Sequence, residues 1–155
     1  MKIASWNVNS LKVRLPQVLD WINLNQPDVL CLQETKQNND NFPHDVFEKR
    51  GLFSYHNGQN TYNGVAIISN KELIDIQFDI PNFYDEQKRL ISGIYPNDED
   101  PMFRVISAYI PNGQSLNSDK FEYKIKWLTA LKTWLTRLAQ EKNNLILLGD
   151  FNICL

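Results

Sequence analysis

An α/β or α+β domain with a mixed sheet is the fold class this sequence predicts, and three observations carry that reading. Short apolar runs rich in β-branched and aromatic residues recur along the chain, turn residues separate them, and amphipathic stretches of helical period interrupt the series. The first run, 2–7, reads as a strand. Residues 14–25 read as a helix, because Leu15, Val18, Leu19 and Ile22 recur on one face with Trp21 beside them. Pro16 is compatible with that helix only in its first turn, where a missing N–H costs nothing. A strand follows at 28–34, then a short helix from Pro43 to Gly51, whose glycine suits the residue just past a helix end. Strands are expected at 52–57 and 63–69, with Asn63-Gly64 as hairpin or loop punctuation, and again at 73–79 and 89–95. The Asn97 to Asp100 cluster reads as a loop before a strand at 103–110. Ser118 is a suitable N-cap for a helix running to about Lys142, in which Phe121, Ile125, Leu128, Leu131, Leu135 and Leu138 recur at helical spacing. A last strand is expected at 144–150.

Composition bounds the function. With 155 residues, 43% of them hydrophobic, the chain can bury roughly two-thirds of its unfolded surface, so it folds rather than staying disordered. Its longest apolar runs, such as Val65–Ile68 and Leu145–Leu148, fall far short of the about 20 residues a membrane helix needs. The N-terminus turns polar before a signal-peptide core could form. Cys31 and Cys154 are too few for a disulfide framework, so a reducing, cytoplasmic setting is expected. A net charge of −2 excludes a basic coat for nucleic acid, but the charge is uneven. Residues 72–100 carry Glu72, Asp75, Asp79, Asp85, Glu86, Asp98, Glu99 and Asp100 against Lys88 and Arg89. Residues 118–142 carry Lys120, Lys124, Lys126, Lys132, Arg137 and Lys142 against Asp119, Glu122 and Glu141. The basic stretch is either a solvated helix face or a local patch.

Four of the apolar runs end on a polar side chain able to coordinate or to hydrogen-bond: Ile3–Trp6 into Asn7, Val29–Gln33 into Glu34, Val105–Ala108 into Tyr109, and Leu145–Gly149 into Asp150. Any one of these is equally a strand end meeting water. Four together point to a shared cleft, since ligands gather at one end of the strands in open α/β sheets. Glu34, Asp150, Asn7 and Asn152 offer only oxygen and amide groups, and His44 and His56 have no ligand spacing. Such a set favours Mg²⁺ or Mn²⁺ over zinc, and Mg²⁺ suits phosphoester hydrolysis. Asp150 and Asn152 are expected on the same side of an extended backbone, one taking a proton from water while the other orients it.

The strings Trp6-Asn7-Val8-Asn9, Gln33-Glu34-Thr35-Lys36, Tyr109-Ile110-Pro111-Asn112-Gly113 and Gly149-Asp150-Phe151-Asn152 resemble, in order, the motifs of the endonuclease/exonuclease/phosphatase superfamily. The versions here are most similar to its exonuclease III branch, the bacterial apurinic/apyrimidinic endonucleases. The resemblance implies a four-layer α/β sandwich of the DNase I-like type, with Mg²⁺ (or Mn²⁺) as cofactor. It also implies double-stranded DNA with abasic sites or 3′ ends as partner. By position, Glu34 matches the metal-ligating glutamate and Asn7 the asparagine beside it. Tyr109 matches a contact to the scissile phosphate, and Asn9 and Asn112 match polar residues near phosphate and sugar. Asp150 matches the residue that activates water, with Asn152 as its partner at the metal site. Lys120 and Arg89 fall where the family has basic residues near DNA.

Members of the family continue beyond the Gly149–Asn152 motif to a second aspartate motif and a terminal Ser-Asp-His segment, neither of which occurs here. The expectation is therefore an incomplete domain over 1–155, inactive when isolated and exposing an apolar face, with a complementing C-terminal fragment as a partner. Two alternatives stand beside DNA hydrolysis: a non-catalytic remnant, and a phosphatase of the same superfamily acting on phosphoinositide or sphingolipid. Lys36 after Gln33-Glu34-Thr35 and the Tyr109–Gly113 run favour the DNA branch.

Overall fold

A computed structural model describes residues 1–96, 102–141 and 144–153. The chain runs β1 (Ile3–Asn7), α1 (Leu11–Asn25), β2 (Val29–Gln33), a 3-10 turn at Asn39–Asn41, α2 (His44–Glu48), β3 (Phe53–Asn57), β4 (Val65–Ser69), β5 (Ile74–Phe78), β6 (Leu90–Tyr95), β7 (Phe103–Tyr109), α3 (Asp119–Gln140) and β8 (Asn144–Asp150). All eight expected strands form. The Asn97–Asp100 loop, the helix end at Lys142 and Cys154 lie outside the described residues. No helix among the described residues is long and apolar enough to cross a membrane.

The strands build two four-stranded sheets, ordered β1-β2-β4-β3 and β5-β6-β7-β8. Each sheet is mixed in the same way, with one parallel pair at its edge (β1–β2 and β7–β8) and antiparallel pairs elsewhere. Each parallel pair is joined by a crossover helix, α1 or α3, as parallel neighbours require. Three apolar clusters separate four layers. Leu30, Leu32, Ala66 and Ile68 face α1 and α2; Val29, Cys31, Val65 and Ile67 face the second sheet with Ile91 and Val105; Ile106 and Ala108 face α3. Strands buried on both faces read as continuous apolar runs, which explains Val29–Leu32 and Val65–Ile68. The edge strands β1 and β8 lie beside one another and stay only partly buried.

Two helices depart from expectation. α1 begins at Leu11, so Pro16 sits in its second turn rather than its first. The start is set by tertiary bonds, Ser10 N to Glu34 O (2.8 Å) and Leu11 N to Thr35 O (3.0 Å), and not by a side-chain cap. Pro16 lies on the exposed face, where water can serve the carbonyl its ring leaves unpaired. α3 is capped as expected, Ser118 Oγ accepting from Phe121 N at 3.1 Å, but its buried face is wider on the tryptophan side than the aliphatic spacing marks. Trp127, Leu131, Trp134 and Leu138 are buried while Ile125 is exposed. Leu131 and Leu138 are buried and Leu128 and Leu135 pack against the same cluster, so the buried face takes in most of the aliphatic stripe together with the two indole rings.

Parallel pairing of β7 with β8 sets Ala108 opposite Gly149, and a Cβ at 149 would lie 1.8 Å from the Ala108 carbonyl oxygen. That contact cannot relax by a rotamer change. Gly149→Ala is expected to cost about 3 kcal/mol or more in urea unfolding, whereas Gly51→Ala, which meets nothing within 4 Å, should cost only the ~1 kcal/mol of a strained positive φ.

Candidate functional site

The parallel registers determine which side chains meet. Asn7 pairs with Gln33, the residue before Glu34, and Tyr109 pairs with Asp150. Because the two sheets stack with their parallel edges together, these four strand ends converge. Asn7 Nδ2 donates to Glu34 Oε1 and to Asp150 Oδ2, both at 2.8 Å, joining carboxylates from opposite sheets. Asn7 Oδ1 accepts from Asn9 N at 3.0 Å. The Tyr109 hydroxyl also donates to Glu34. Lys36 Nζ lies 3.2 Å from Glu34 Oε2 and donates to Asn9 Oδ1 at 2.5 Å.

Local backbone geometry aims these groups. Glu34 and Lys36 both have φ 53°, and Asn9 has φ 41°. Such left-handed non-glycine residues persist only where neighbours hold them. Here the amides of Thr35 and Lys36 are tied to the carbonyls of Gly64 (3.2 Å) and Asn63 (2.9 Å). Beneath them Thr35 Oγ1 bonds to His56 Nε2 at 2.8 Å, and His56 stacks on Phe42 at 4.2 Å. A Cβ at Gly64 would stand 2.2 Å from Thr35 Oγ1, so this contact needs glycine. Burial, with a further push from His44, takes His56 down to about 3, so its ring is neutral at ordinary pH and serves as a support. Behind Asn7 the buried Gln33 spans the sheets, donating to Ser107 Oγ (3.3 Å) and accepting from Ser5 Oγ (3.2 Å).

Not every anticipated group stands where expected. Asn152 does not lie beside Asp150 on extended backbone. Asp150 Oδ1 accepts from Asn152 N (3.0 Å) in a side-chain turn, Asn152 takes φ 48°, and its amide donates to Ile110 O at 2.9 Å. Polar side chains that bond the backbone two residues on end a strand in this way. Asn152 therefore braces the loop, while its carbonyl receives Lys124 Nζ at 2.7 Å. Arg89 is buried rather than displayed. Its guanidinium lies 4.7 Å from the Tyr109 ring centroid, donates to Tyr109 O (3.1 Å) and, through Nε, to Gln87 (2.9 Å). It holds Tyr109 in place, since a desolvated cation over a ring with a carbonyl partner is well satisfied. Lys120 is exposed on the first turn of α3, and much of the basic stretch is a solvated face, with Lys126 paired to Glu122. Asn112 Oδ1 accepts from Gln114 N (2.9 Å), and Asn112 lines an open cavity of about 710 Å³ with Gln114, Phe121, Lys124, Asp150 and Asn152. The sequence marks Lys124 only as part of the basic stretch, not as a residue at the site, and gives no sign of the Thr35–His56 support. Lys124 could have been found from its place one turn after Lys120.

The donor chemistry can be tested against a metal. Among the described residues there is no group of three or more His, Cys, Asp or Glu side chains placed to hold a metal ion. Two carboxylates, Glu34 and Asp150, with amide oxygens around them, fit a hard divalent ion that keeps several waters. Burial raises the Glu34 carboxyl, but hydrogen bonds from Asn7, Tyr109 and Lys36, with the Lys36 charge, outweigh it and hold it below its ordinary value. Glu34 is thus ionised, with Lys36 beside its Oε2. Burial first, then the bond to Glu34, lifts the Tyr109 hydroxyl to about 12, so it stays a donor.

The profile described as the Endonuclease/Exonuclease/phosphatase family matches residues 4–155. Exodeoxyribonuclease III of Haemophilus influenzae is 34% identical over 155 residues, which cover 99% of this chain and 58% of that protein. The 3′ phosphatase NExo from Neisseria, solved with a product DNA hairpin, superimposes with a TM-score of 0.91 at 42% identity, covering 99% of this chain and 58% of that one. An AP endonuclease from Archaeoglobus fulgidus gives a TM-score of 0.90 at 35% identity with the same coverage. The chain thus spans somewhat over half the length of each.

The raised hydroxyl of Tyr109 gives a pH test. A group whose folded pKa exceeds its unfolded value of 10.0 stabilises fully below that pH, and the contribution is lost as pH rises through about 12. Followed by phenolate absorbance, Glu34→Gln should bring the Tyr109 titration to lower pH by removing the carboxylate charge; an unchanged curve would show that the two groups are not coupled.

Proposed function

The chain belongs to the endonuclease/exonuclease/phosphatase family, and on that premise we propose that its protein hydrolyses DNA phosphoester bonds at abasic sites and 3′ ends in repair, in the manner of exodeoxyribonuclease III. Nucleases of this kind generally use divalent metals; here the reading is Mg²⁺, with Mn²⁺ able to substitute. The observation that carries it is that one Asn7 amide joins Glu34 and Asp150, with the Tyr109 hydroxyl against Glu34. Glu34 would hold the ion, with Asn7, Asp150 and Asn152 around it. The bound ion would supply charge neutralisation at a phosphoryl oxygen.

The remaining steps fall to this chain's own residues. Tyr109 donates its hydroxyl hydrogen to a non-bridging phosphate oxygen, since its proton is firmly held. Asp150 accepts the proton of the attacking water, and Asn152 fixes the loop that aims Asp150. Asn9 and Asn112 flank the phosphate and sugar, while Lys124, which lines the cavity, and the exposed Lys120 one turn before it meet the backbone, where phosphate contacts set position rather than sequence. Double-stranded DNA is the partner, and a complementing C-terminal polypeptide is a second.

A related reading is 3′-phosphate removal, supported by the likeness to the Neisseria enzyme, whose solved structures are described both as a 3′-5′ exonuclease (44% identity) and as a 3′ phosphatase (42%). Both reactions break a P–O3′ bond and leave a 3′-hydroxyl, so one site serves either. The test uses the chain alone and the chain joined to the C-terminal part of the Neisseria enzyme, with Mg²⁺, on duplexes carrying an abasic site or a 3′-phosphate. The joined chain should cut at least one, and Glu34→Gln or Asp150→Asn should lower the rate by about 10²–10⁴-fold. Hydrolysis of phosphoinositide with both duplexes untouched would refute the DNA assignment.

A further inference from the structure

Glu34, the carboxylate on which the metal reading rests, already carries a cation. Lys36 Nζ is 3.2 Å from Oε2, while Oε1 is taken by Asn7 at 2.8 Å. The pair is sheltered, with side chains 30% and 20% exposed. Lys36 is also held there by more than its charge. Its φ of 53° is a conformation a lysine rarely adopts, fixed by Lys36 N to Asn63 O at 2.9 Å, and its ammonium is shared with Asn9 Oδ1 at 2.5 Å. A chance surface ion pair has neither a constrained backbone nor a second acceptor.

We propose that Lys36 is a resident counter-ion of the metal carboxylate, competing with the divalent ion for Glu34 Oε2, so that Lys36 sets the metal affinity of the site downward. The inference rests on the reading of Glu34 as metal ligand. A divalent ion on Oε2 binds at about 2.1 Å, and an ammonium close to the same oxygen would lie near its coordination shell, where like charges repel. The ammonium must move for the ion to enter. Its flexible four-carbon stem allows this, and Asn9 Oδ1 is a ready acceptor once Glu34 is released. With Lys36 in place the empty carboxylate is neutralised, the two carboxylates around Asn7 tolerate each other, and the metal stays exchangeable.

Mn²⁺ titration followed by the electron paramagnetic resonance of the free ion tests this without reference to activity. Lys36→Met should bind Mn²⁺ on the order of two- to fivefold more tightly than the parent chain, the range expected from a partly exposed charge pair. Lys36→Arg should restore the parent affinity, and Glu34→Gln should lose binding and cancel the effect of Lys36→Met. If Glu34→Gln binds as well as the parent, the metal reading itself fails. If Glu34→Gln loses binding but Lys36→Met is no tighter than the parent, the counter-ion role alone is overturned. Should Lys36→Met lose the near-ultraviolet signal of folded protein, the unaltered chain decides. The NMR signal of the Lys36 ammonium should shift with the midpoint of Mg²⁺ binding, and a signal unmoved at saturating Mg²⁺ overturns the proposal.

Discussion

Both hydrogens of the Asn7 side-chain nitrogen go to carboxylates, Glu34 in one sheet and Asp150 in the other, at 2.8 Å each. An amide nitrogen has two hydrogens to give, and here both are used. The bond pair brings two negative groups together that would otherwise repel, and it does so from a strand end, where side-chain freedom is small. Asn9 then fixes the amide by donating its N–H to the remaining oxygen. An aspartate at this position would put a third carboxylate where a donor is needed. The arrangement also spans the two sheets, so the site cannot form unless the sandwich has closed.

The closure is enforced from behind. Gln33, fully buried between the sheets, ties Ser5 to Ser107 directly under the site, and on the outer side Thr35 rests on a neutral His56. Buried polar networks specify one geometry when their members are satisfied, and they cost stability when they are not. The network here is nearly complete: His56 Nδ1 is the member left without a partner. The apolar clusters above and below this seam carry the bulk of the stability, while the polar seam decides the register at which the sheets meet.

The strands were legible because their residues are apolar on both faces or alternate cleanly, and that pattern follows from two covering layers. The site motifs were legible for a related reason. Each lies at the end of an apolar run, so Asn7, Glu34, Tyr109 and Asp150 stood out as the points where chemistry replaces packing. Other features were set by contacts distant in the chain and were not legible. The spacing marked the leucines of α3 but not Trp127 and Trp134, which are buried beside Leu131 and Leu138 while Ile125 faces solvent. The start of α1 depended on carbonyls of Glu34 and Thr35, over twenty residues away. Arg89 has the composition of a DNA contact, but its neighbours Tyr109, Gln87 and Tyr123 bury it.

By itself the sequence determined which segments become strands, about where the helices fall, and which four strand ends carry polar chemistry, because these depend on local period and residue type. Tertiary structure alone decided what those ends do to one another. That Asn7 donates to two carboxylates, that Asn152 turns to brace Ile110, and that Lys36 rests on Glu34 are consequences of the distance between strands from different sheets. That distance is set by side chains packed between the sheets rather than by any run of neighbours in the chain.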